Sequence, residues 1–310
     1  MRIVFFGTPD VAVRSLDELM QSAHEVIAVV TAPDRPKGRG LEVARTPVKR
    51  YATEAGIAVL QPASLKDDAT AESLSALNAD AFVVVAYGRI LPPAILQIPH
   101  RGCLNVHYSL LPRLRGAAPV QYALIEGMTL TGVTVMQMDE GLDTGPIYAQ
   151  MEEPILEEDD AGTLGARLAD KGAVLLVQVL DRIESDSVDP HPQVQAGVSL
   201  APKIKSEDAR IRWSDDAVMI RNRVRAFNPA PGAWTMTSSG TRLKVWQVEV
   251  SNDVSTETPG TIDVITPEVL VVDTGGDRIL LEELQPEGGR RMSPSEYIRG
   301  YRPTTGEVLQ

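Results

Sequence analysis

Short apolar runs alternate with amphipathic stretches over the first 185 residues of the chain. The apolar runs are rich in branched and aromatic side chains, as buried strands are. They predict strands at residues 2–6, 25–31, 58–60, 79–86, 103–108, 131–138 and 147–151. Apolar residues at helical spacing between these runs predict helices, the main ones at residues 10–22, 47–56, 66–78, 117–127 and 161–185. Strands that alternate with helices favour a Rossmann-like α/β domain with a mainly parallel sheet.

The pattern changes after residue 185. Residues 186–206 contain prolines and few large apolar side chains, which is typical of a linker. We therefore expect a catalytic domain at 1–188, a linker at 189–206 and a second domain at 207–310. After a helix at 215–226, strand-like runs alternate with glycine and proline turns and predict a small, OB-like β-barrel. These runs are 232–237, 242–250, 260–265, 268–273 and 278–284.

A polar pair marks the stretch from Cys103 to Gly116, which reads CLNVHYSLLPRLRG. Because successive side chains of a strand point to opposite faces, Asn105 and His107 share one face. Pro112 indicates that the strand has ended, so the pair lies near the carboxyl end, where open α/β sheets bind ligands. Singly, such an asparagine often bonds a turn and such a histidine often packs in a core. Together they indicate a candidate site.

An acidic loop, DEGLDTG at residues 139–145, follows the next predicted strand. A calcium site is one interpretation, but the spacing of an EF-hand is missing. A plain acidic turn is another. The functional interpretation places Asp143 against His107, where a carboxylate would orient the imidazole and favour its protonated form.

Composition excludes several classes of protein. No apolar run approaches the roughly 20 residues that a membrane crossing needs. The single cysteine, Cys103, cannot form an internal disulfide, which fits a reducing cytoplasm and argues against a cysteine zinc site. The opening GTPDVA has one glycine where a dinucleotide-binding fingerprint has three.

Two basic segments contrast with the formal net charge of −12. Residues 32–50 carry a net charge of +4, and residues 201–230 carry +3. A solvated surface loop is the ordinary interpretation of such segments. Their opposition to the overall charge equally favours phosphate binding, and we expect them to form one positive face.

The motifs NVH-x-SLLP-R-x-RG at 105–116 and DEGLDTG at 139–145 resemble those of the folate-dependent formyltransferases. Further motifs resemble the branch of this family that acts on methionyl-tRNA, namely FFGTPD at 5–10, DRPKGRG at 34–40, QPASL at 61–65, AYG at 86–88, GAAPVQ at 116–121, KI-x-x-EDARI-x-W at 203–213 and RAFNPAPGAW at 225–234. Two positions depart from the family pattern. Tyr108 stands where glycine is common, and Leu114 stands where tryptophan is common.

The resemblance implies an activity and its partners. A formyl group would pass from N10-formyltetrahydrofolate to the α-amino group of methionine on initiator tRNA, for the initiation of translation. No metal and no membrane would be involved, and we expect a cytoplasmic monomer.

The resemblance also implies site residues. Asn105 and His107 would stabilise the oxyanion, while Asp143 would orient and charge His107 and assist proton transfer. Folate would lie on Ser109, Leu110, Leu111 and Pro112, with Arg89, Ile90 and Leu91 lining the pterin pocket. Contacts with tRNA would come from Arg35, Lys37, Arg39, Lys203, Lys205, Arg221 and Arg225.

Elementary chemistry agrees with such a site. An α-amino group has a pKa of about 7.7–8.0, which esterification lowers, so much of it is neutral near pH 7. The difficult species is the negative oxygen formed when the amine adds to the formyl carbon. Asn105 and a protonated His107 can both donate to that oxygen.

Two alternatives stay open. The chain could formylate a small amine, such as a nucleotide sugar or glycinamide ribonucleotide, with the same catalytic residues. It could also be a folate- or RNA-binding module without activity. The basic segment 34–50 and the β-rich carboxyl-terminal domain favour tRNA over a small amine.

Overall fold

The structure, a computed structural model, describes residues 1–37 and 42–310, and the side chains of these residues except 35–37, 42–43 and 264–265. The chain forms two compact units. The first unit comprises Met1–Pro119, Leu130–Pro154 and Gly165–Pro202. The second unit comprises Val120–Thr129, Ile155–Leu164 and Lys203–Gln310.

A seven-stranded sheet organises the first unit. The strands of this part of the chain are β1 (Arg2–Gly7), β2 (Glu25–Val30), β3 (Arg35–Lys37), β4 (Glu42–Ala44), β5 (Ala58–Leu60), β6 (Ala81–Val85), β7 (Cys103–His107), β8 (Leu130–Gln137) and β9 (Ile147–Pro154). The order in the large sheet is β5-β2-β1-β6-β7-β8-β9. Pairing is parallel from β5 to β7 and antiparallel from β7 to β9. The predicted mainly parallel α/β sheet is confirmed.

Helices alternate with these strands along the chain, and most begin where the sequence places a helix start. They are α1 (Asp10–Met20), α2 (Pro47–Glu54), α3 (Asp68–Ser75), α4 (Pro93–Leu96), α5 (Pro119–Ile125) and α6 (Ala161–Glu184). Helix α2 shows the local reason, because the Thr46 hydroxyl accepts from the Lys49 amide at 3.1 Å and Pro47 occupies the first turn. Within the described residues, no helix combines the length and apolar character that would let it span a bilayer.

The core of the first unit lies on both faces of the sheet. Phe5, Phe6 and Phe82 are fully buried, and the rings of Phe6 and Phe82 pack 5.2 Å apart. Strands buried on both faces read as continuous apolar runs, which is why the sequence pattern located them.

The basic segment 32–50 contains a small hairpin. Strands β3 and β4 pair antiparallel, with Arg35 opposite Ala44 and Lys37 opposite Glu42. The sequence analysis interpreted this segment as a loop. Three-residue strands are too short for a recognisable hydrophobic period, so the pattern could not reveal them. Residues 38–41, with the predicted tRNA contact Arg39, lie outside the described residues.

An antiparallel five-stranded sheet forms the centre of the second unit. Its strands are β10 (Ala233–Met236), β11 (Arg242–Val254), β12 (Ile262–Thr266), β13 (Val269–Val272) and β14 (Asp277–Pro286), in the order β10-β11-β14-β13-β12. Helix α7 (Ala217–Ala226) precedes the sheet, as predicted, and α8 (Pro294–Tyr301) follows it. The sequence analysis did not predict α8, although Ser293 and Glu296 form a capping box that signals a helix start.

Residues 306–310 link the two outer strands of this second sheet. On β12, the Ile262 amide donates to the Glu307 carbonyl at 2.7 Å. On the other side, Met236 and Gln310 exchange two backbone hydrogen bonds of 2.8 and 2.9 Å. The tail therefore occupies backbone groups that the outer strands would otherwise leave open.

Candidate active site

Strand β7 carries Asn105 and His107, and the loop after β8 brings Asp143 to them. The Nδ2 atom of Asn105 donates to Asp143 Oδ1 at 3.4 Å. His107 Nδ1 lies 3.7 Å from Asp143 Oδ2. The three predicted catalytic residues are thus brought together, with the carboxylate between the amide and the imidazole.

The imidazole of His107 is 5% exposed, and a backbone carbonyl holds the side of the ring that faces away from Asp143. Its Nε2 atom lies 3.0 Å from the carbonyl oxygen of Leu114. A carbonyl can only accept, so Nε2 carries a proton and Nδ1 faces Asp143. Burial lowers the pKa of His107 below its ordinary 6.5, while Asp143 and the Leu114 carbonyl act in the opposite direction. The sequence analysis expects Asp143 to keep this imidazole charged, whereas burial has the larger effect on its pKa.

Asp143 sits in a left-handed backbone conformation, with φ of 52°. Its Oδ2 atom accepts from the Gly116 amide at 2.8 Å, and its own carbonyl accepts from Gln193 Nε2 at 2.8 Å. Gly116 has φ of 127°, and a Cβ atom there would lie 2.5 Å from the Ala201 carbonyl oxygen. Only glycine fits this position, which aims an amide at the carboxylate.

Asp139, the first carboxylate of the acidic loop, accepts hydrogen bonds from other residues of the same loop. The Asp139 carboxylate accepts from the Gly141 amide at 3.0 Å and from the Thr144 hydroxyl at 2.8 and 2.9 Å. These contacts shape the turn that presents Asp143. They support the turn interpretation for Asp139 and leave the functional interpretation to Asp143.

The predicted folate loop, residues 109–112, is fixed by hydroxyl groups. Ser109 is buried, and its hydroxyl donates to the Arg113 carbonyl at 2.7 Å. The Thr134 hydroxyl donates to the Ser109 carbonyl at 2.7 Å and accepts from the Leu111 amide at 3.1 Å. Leu111 is buried, whereas Leu110 and Pro112 are half-buried. Leu110 and Pro112 therefore offer the apolar surface of this loop.

The predicted pterin residues follow β6 and differ in their surroundings. Arg89 Nη1 donates to the carbonyls of Pro62 and Ala63 at 3.0 and 3.1 Å. Ile90 is 82% exposed, whereas Leu91 is 2% exposed. Sequence proximity did not reveal that only one of the two apolar side chains is accessible.

A cavity of about 750 Å³ lies within the first unit, beyond the carboxyl ends of β1, β2 and β6. Arg45, Arg50 and Arg89 line it, opposed by Asp10. This is the edge where open α/β sheets bind ligands, and the lining favours an anionic one. The sequence analysis did not single out Arg45 and Arg50 as site residues, although they lie in the basic segment.

The two departures from the family pattern are both structurally accommodated. The Tyr108 ring packs near α6, where a Cβ atom on Gly172 would lie 3.3 Å from Tyr108 Cε1. The Tyr108 hydroxyl is buried without a hydrogen-bond partner among the described residues, and burial raises its pKa. Leu114 is fully buried with φ of 60°.

The predicted tRNA contacts of the second unit differ in availability. Lys203 and Lys205 are exposed. Arg225 donates to the Leu156 and Glu157 carbonyls at 3.1 and 2.6 Å, so its guanidinium holds the chain locally. Arg221 lines a cavity of about 620 Å³ together with five acidic residues, Glu157, Glu158, Asp160, Glu249 and Glu282. The side chains of Arg35 and Lys37 lie outside the described set.

The second unit has a further basic surface that sequence reasoning missed. We call it the tryptophan–arginine surface: Arg242, Lys244 and Arg291, which lie over the nearly buried rings of Trp234 and Trp246. The guanidinium of Arg242 lies 4.0 Å from the Trp234 ring, and that of Arg291 lies 3.7 Å from the Trp246 ring. The signal was present in the alternation of RLKV at 242–245, because Leu243 and Val245 are buried while Arg242 and Lys244 are only half-buried.

Two family matches together cover most of the chain. Residues 1–180 match the family described as formyl transferase. Residues 203–302 match the formyl transferase C-terminal domain.

Curated relatives are similar along their whole length. A methionyl-tRNA formyltransferase of Pelotomaculum thermopropionicum is 47% identical over 310 residues, which is 100% of this chain and 98% of the relative. The methionyl-tRNA formyltransferase of Syntrophus aciditrophicus is 44% identical over 307 residues, 99% of this chain and 98% of the relative.

Solved structures share the fold at lower identity. HypX from Aquifex aeolicus in complex with tetrahydrofolic acid has a TM-score of 0.68 and 17% identity, covering 98% of this chain and 48% of that chain. An N-formyltransferase from Helicobacter canadensis, in complex with folinic acid and dTDP-3-aminofucose, has a TM-score of 0.67 and 20% identity. The match covers 90% of this chain and 98% of that chain.

Proposed function

Because the chain belongs to the formyl transferase family, we propose that it transfers a formyl group from N10-formyltetrahydrofolate to the α-amino group of methionyl initiator tRNA. The observation that carries this proposal is the near-half identity, over the full length, to relatives named methionyl-tRNA formyltransferase. The contacts of Asn105, His107 and Asp143 supply chemistry that suits the reaction.

The first step forms a bond between the neutral amine nitrogen and the formyl carbon. The electron pair of the carbonyl moves to oxygen, so the adduct has a positive nitrogen and a negative oxygen. Asn105 Nδ2 donates to that oxygen. One donor of this kind is typically worth about 2.7–4 kcal/mol in the transition state.

The second step removes the extra proton from the amine nitrogen. His107 Nδ1 accepts it, because Nε2 is already protonated against the Leu114 carbonyl. The resulting imidazolium is flanked by the oxyanion and by Asp143 Oδ2, both of which stabilise it. His107 thus becomes charged during the reaction and then stabilises the oxyanion, as the sequence analysis expected of a cationic ring.

The last step breaks the bond between the formyl carbon and the N10 nitrogen of the folate. The oxyanion re-forms the carbonyl, and the proton held by His107 passes to the departing nitrogen with the help of Asp143. The products are tetrahydrofolate and formylated methionyl-tRNA. No covalent bond to the protein is required, and the Ser109 hydroxyl is engaged with the Arg113 carbonyl.

We assign folate to the apolar surface of Leu110 and Pro112, beside the loop fixed by Ser109 and Thr134, with the exposed Ile90 as a further contact. We assign the cavity lined by Arg45 and Arg50 to the acceptor end of the tRNA, because both arginines belong to the basic segment. Residues 1–188 would carry the chemistry.

Residues 207–310 would supply most of the affinity for tRNA, after a linker at 189–206. To the predicted contacts Lys203, Lys205 and Arg221 we add the tryptophan–arginine surface. The predicted contact Arg225 is left out, because its guanidinium holds the carbonyls of Leu156 and Glu157. Arginine and lysine beside tryptophan rings can contact phosphate and stack on unpaired bases.

A formylation assay tests this proposal directly. Purified protein and N10-formyltetrahydrofolate are offered charged initiator tRNA, methionine-charged elongator tRNA, free methionine and an amino-sugar nucleotide. We expect efficient formylation of the initiator alone, and almost none with an Asn105→Ala variant. Preferred formylation of the sugar nucleotide would overturn the tRNA assignment while keeping the reaction class.

A further inference from the structure

Residues 193–201 run beside both loops that contact His107. This stretch belongs to the first unit, within the range that the sequence predicted as a linker. Its backbone pairs with the loop after the folate residues: Arg115 N donates to Ser199 O at 2.9 Å, and Ala201 N donates to Arg115 O at 2.7 Å. Two side chains of this stretch, Gln193 and Ser199, add hydrogen bonds to the backbone of the two loops.

Gln193 connects the acidic loop to Arg115. Its Nε2 atom donates to the carbonyls of Asp143 and Gly145, both at 2.8 Å. Its Oε1 atom accepts from Arg115 Nε and Nη2 at 3.2 and 2.6 Å. Arg115 is itself only 8% exposed, so the amide of Gln193 joins the acidic loop to a nearly buried guanidinium. The amide oxygen and the amide nitrogen of Gln193 therefore both form hydrogen bonds with loops of the site.

Ser199 holds the other partner of His107. Its hydroxyl accepts from the Leu114 amide at 3.0 Å. The carbonyl of the same Leu114 accepts from His107 Nε2. The orientation of the imidazole is thus connected to Ser199 through a single residue.

The two residues that face the nitrogens of His107 share a backbone property. Leu114 and Asp143 have φ of 60° and 52°, a left-handed conformation that side chains with a Cβ atom rarely adopt. Such a conformation persists only when surrounding contacts hold it. Ser199 and Gln193 bond to these same two residues.

We propose that Gln193 and Ser199 are positioning residues for formyl transfer, Gln193 by fixing Asp143 and Ser199 by fixing the Leu114 carbonyl. Residues 193–201 are then part of the active site. The kinetic part of this inference rests on the proposed function. The geometric part concerns only the contacts of His107.

Kinetics provide the first test. Gln193→Met keeps the size of the side chain but removes both of its hydrogen-bonding groups. Gln193→Glu keeps an acceptor for Arg115 and turns an oxygen towards two carbonyls. We expect both variants to lose kcat by roughly tenfold to hundredfold with KM for tRNA nearly unchanged, because misplaced catalytic groups slow the chemical step. Gln195→Ala, an exposed neighbour in the same stretch, should match the parent.

Ser199 is tested with a matched pair of variants. Ser199→Thr keeps the hydroxyl, whereas Ser199→Val has the same shape as threonine without it. We expect the threonine variant to retain most of kcat and the valine variant to lose it, at similar thermal stability. Equal kcat for the two would overturn the role of Ser199.

A spectroscopic readout separates this inference from the proposed activity. The pKa of His107 is followed by NMR in the substrate-free protein, where Asp143 is the charged group that faces the ring. Gln193→Met should lower that pKa further, because the carboxylate that raises it is no longer held. An unchanged pKa together with parent-like kcat would overturn the role of Gln193. If the parent does not formylate methionyl-tRNA, the proposed function fails while this titration still decides the positioning.

Discussion

The two nitrogens of His107 face different partners, and the ring is almost fully buried. Nε2 donates to the Leu114 carbonyl, and Nδ1 faces the Asp143 carboxylate. Burial favours the neutral ring, while the carboxylate favours the charged one, and burial prevails in the free site. The ring is therefore ready to accept a proton when the amine adds.

The first prediction at this scale concerns the titration of His107. We expect NMR to show a pKa below 6.5 in the parent. Asp143→Asn should give a still lower value, because the carboxylate raises the pKa. Neutral His107 is the acceptor, so kcat/KM should rise as pH increases through this pKa. A measured pKa above 6.5 in the parent would contradict the proposed proton transfer.

Asn105 gives a second prediction. Asn105→Ala removes the donor to the oxyanion and should lower kcat by about 100- to 1,000-fold, as other single donors of this kind do. Thermal stability should change little, since Asn105 is half-buried and its contact with Asp143 is long, at 3.4 Å. Quenched single-turnover assays with charged tRNA measure the effect. A parent-like rate would show that Asn105 does not stabilise the oxyanion.

Sequence reasoning identified the three candidate catalytic residues but missed the residues that position them. The alternation of β7 and the loop after β8 were enough to select Asn105, His107 and Asp143. The contacts of Leu114, Gln193 and Ser199 run through backbone groups and a segment about 50 to 85 positions away. Such contacts leave no local period or motif, so only coordinates reveal them.

Helix α6 shows the same limit at the scale of an element. Its helical period predicted its position, but the period does not explain why residue 172 is glycine. The explanation lies in side chains outside the helix. A Cβ atom there would lie 2.9 Å from Val106 Cγ1 and 3.3 Å from both Tyr108 Cε1 and Val133 Cγ1. The bulky Tyr108, where the family often has glycine, is accommodated by this absent side chain.

Substitution of this glycine is the third prediction. Gly172→Ala should destabilise the protein by about 1–3 kcal/mol through overpacking, measured by urea unfolding. Gly165→Ala is the matched control, because it lies in the same helix with no atom within 4 Å of the new Cβ. That control should be neutral or stabilising by up to about 1 kcal/mol. Equal effects at the two positions would show that close packing of α6 against Val106, Tyr108 and Val133 is unimportant.

The fourth prediction concerns residues 306–310. Their removal would leave backbone groups of Ile262 and Met236 without partners at both sides of the second sheet. We expect a lower unfolding midpoint for the second unit and increased aggregation, because outer strands with open hydrogen-bonding groups pair with other chains. An unfolding curve that matches the parent would contradict the linking role of this tail.

At the scale of the whole molecule, charge is unevenly distributed. The chain has a formal net charge of −12, which repels nucleic acid at long range. Within about one Debye length, roughly 8 Å at physiological salt, local charge dominates. A tRNA would therefore be attracted only once a basic surface such as the tryptophan–arginine surface is close.

Salt dependence tests this surface and is the fifth prediction. Arg242→Gln and Arg291→Gln should each lower kcat/KM for tRNA and reduce the slope against the logarithm of salt concentration by about 1. Arg299→Gln, an exposed arginine on α8, is the control and should keep the parent slope. Arg225→Gln should mainly lower stability, because its guanidinium holds two backbone carbonyls.

All three tryptophans of the chain, Trp213, Trp234 and Trp246, belong to the second unit. Tryptophan emission, excited selectively at the red edge of the absorption band, is consequently a natural optical reporter of that unit alone. Trp234 and Trp246 also lie directly beneath cations proposed to meet RNA. Titration with nucleic acid can thus be followed by quenching of the tryptophan emission, without an attached dye, while calorimetry reports on the whole chain.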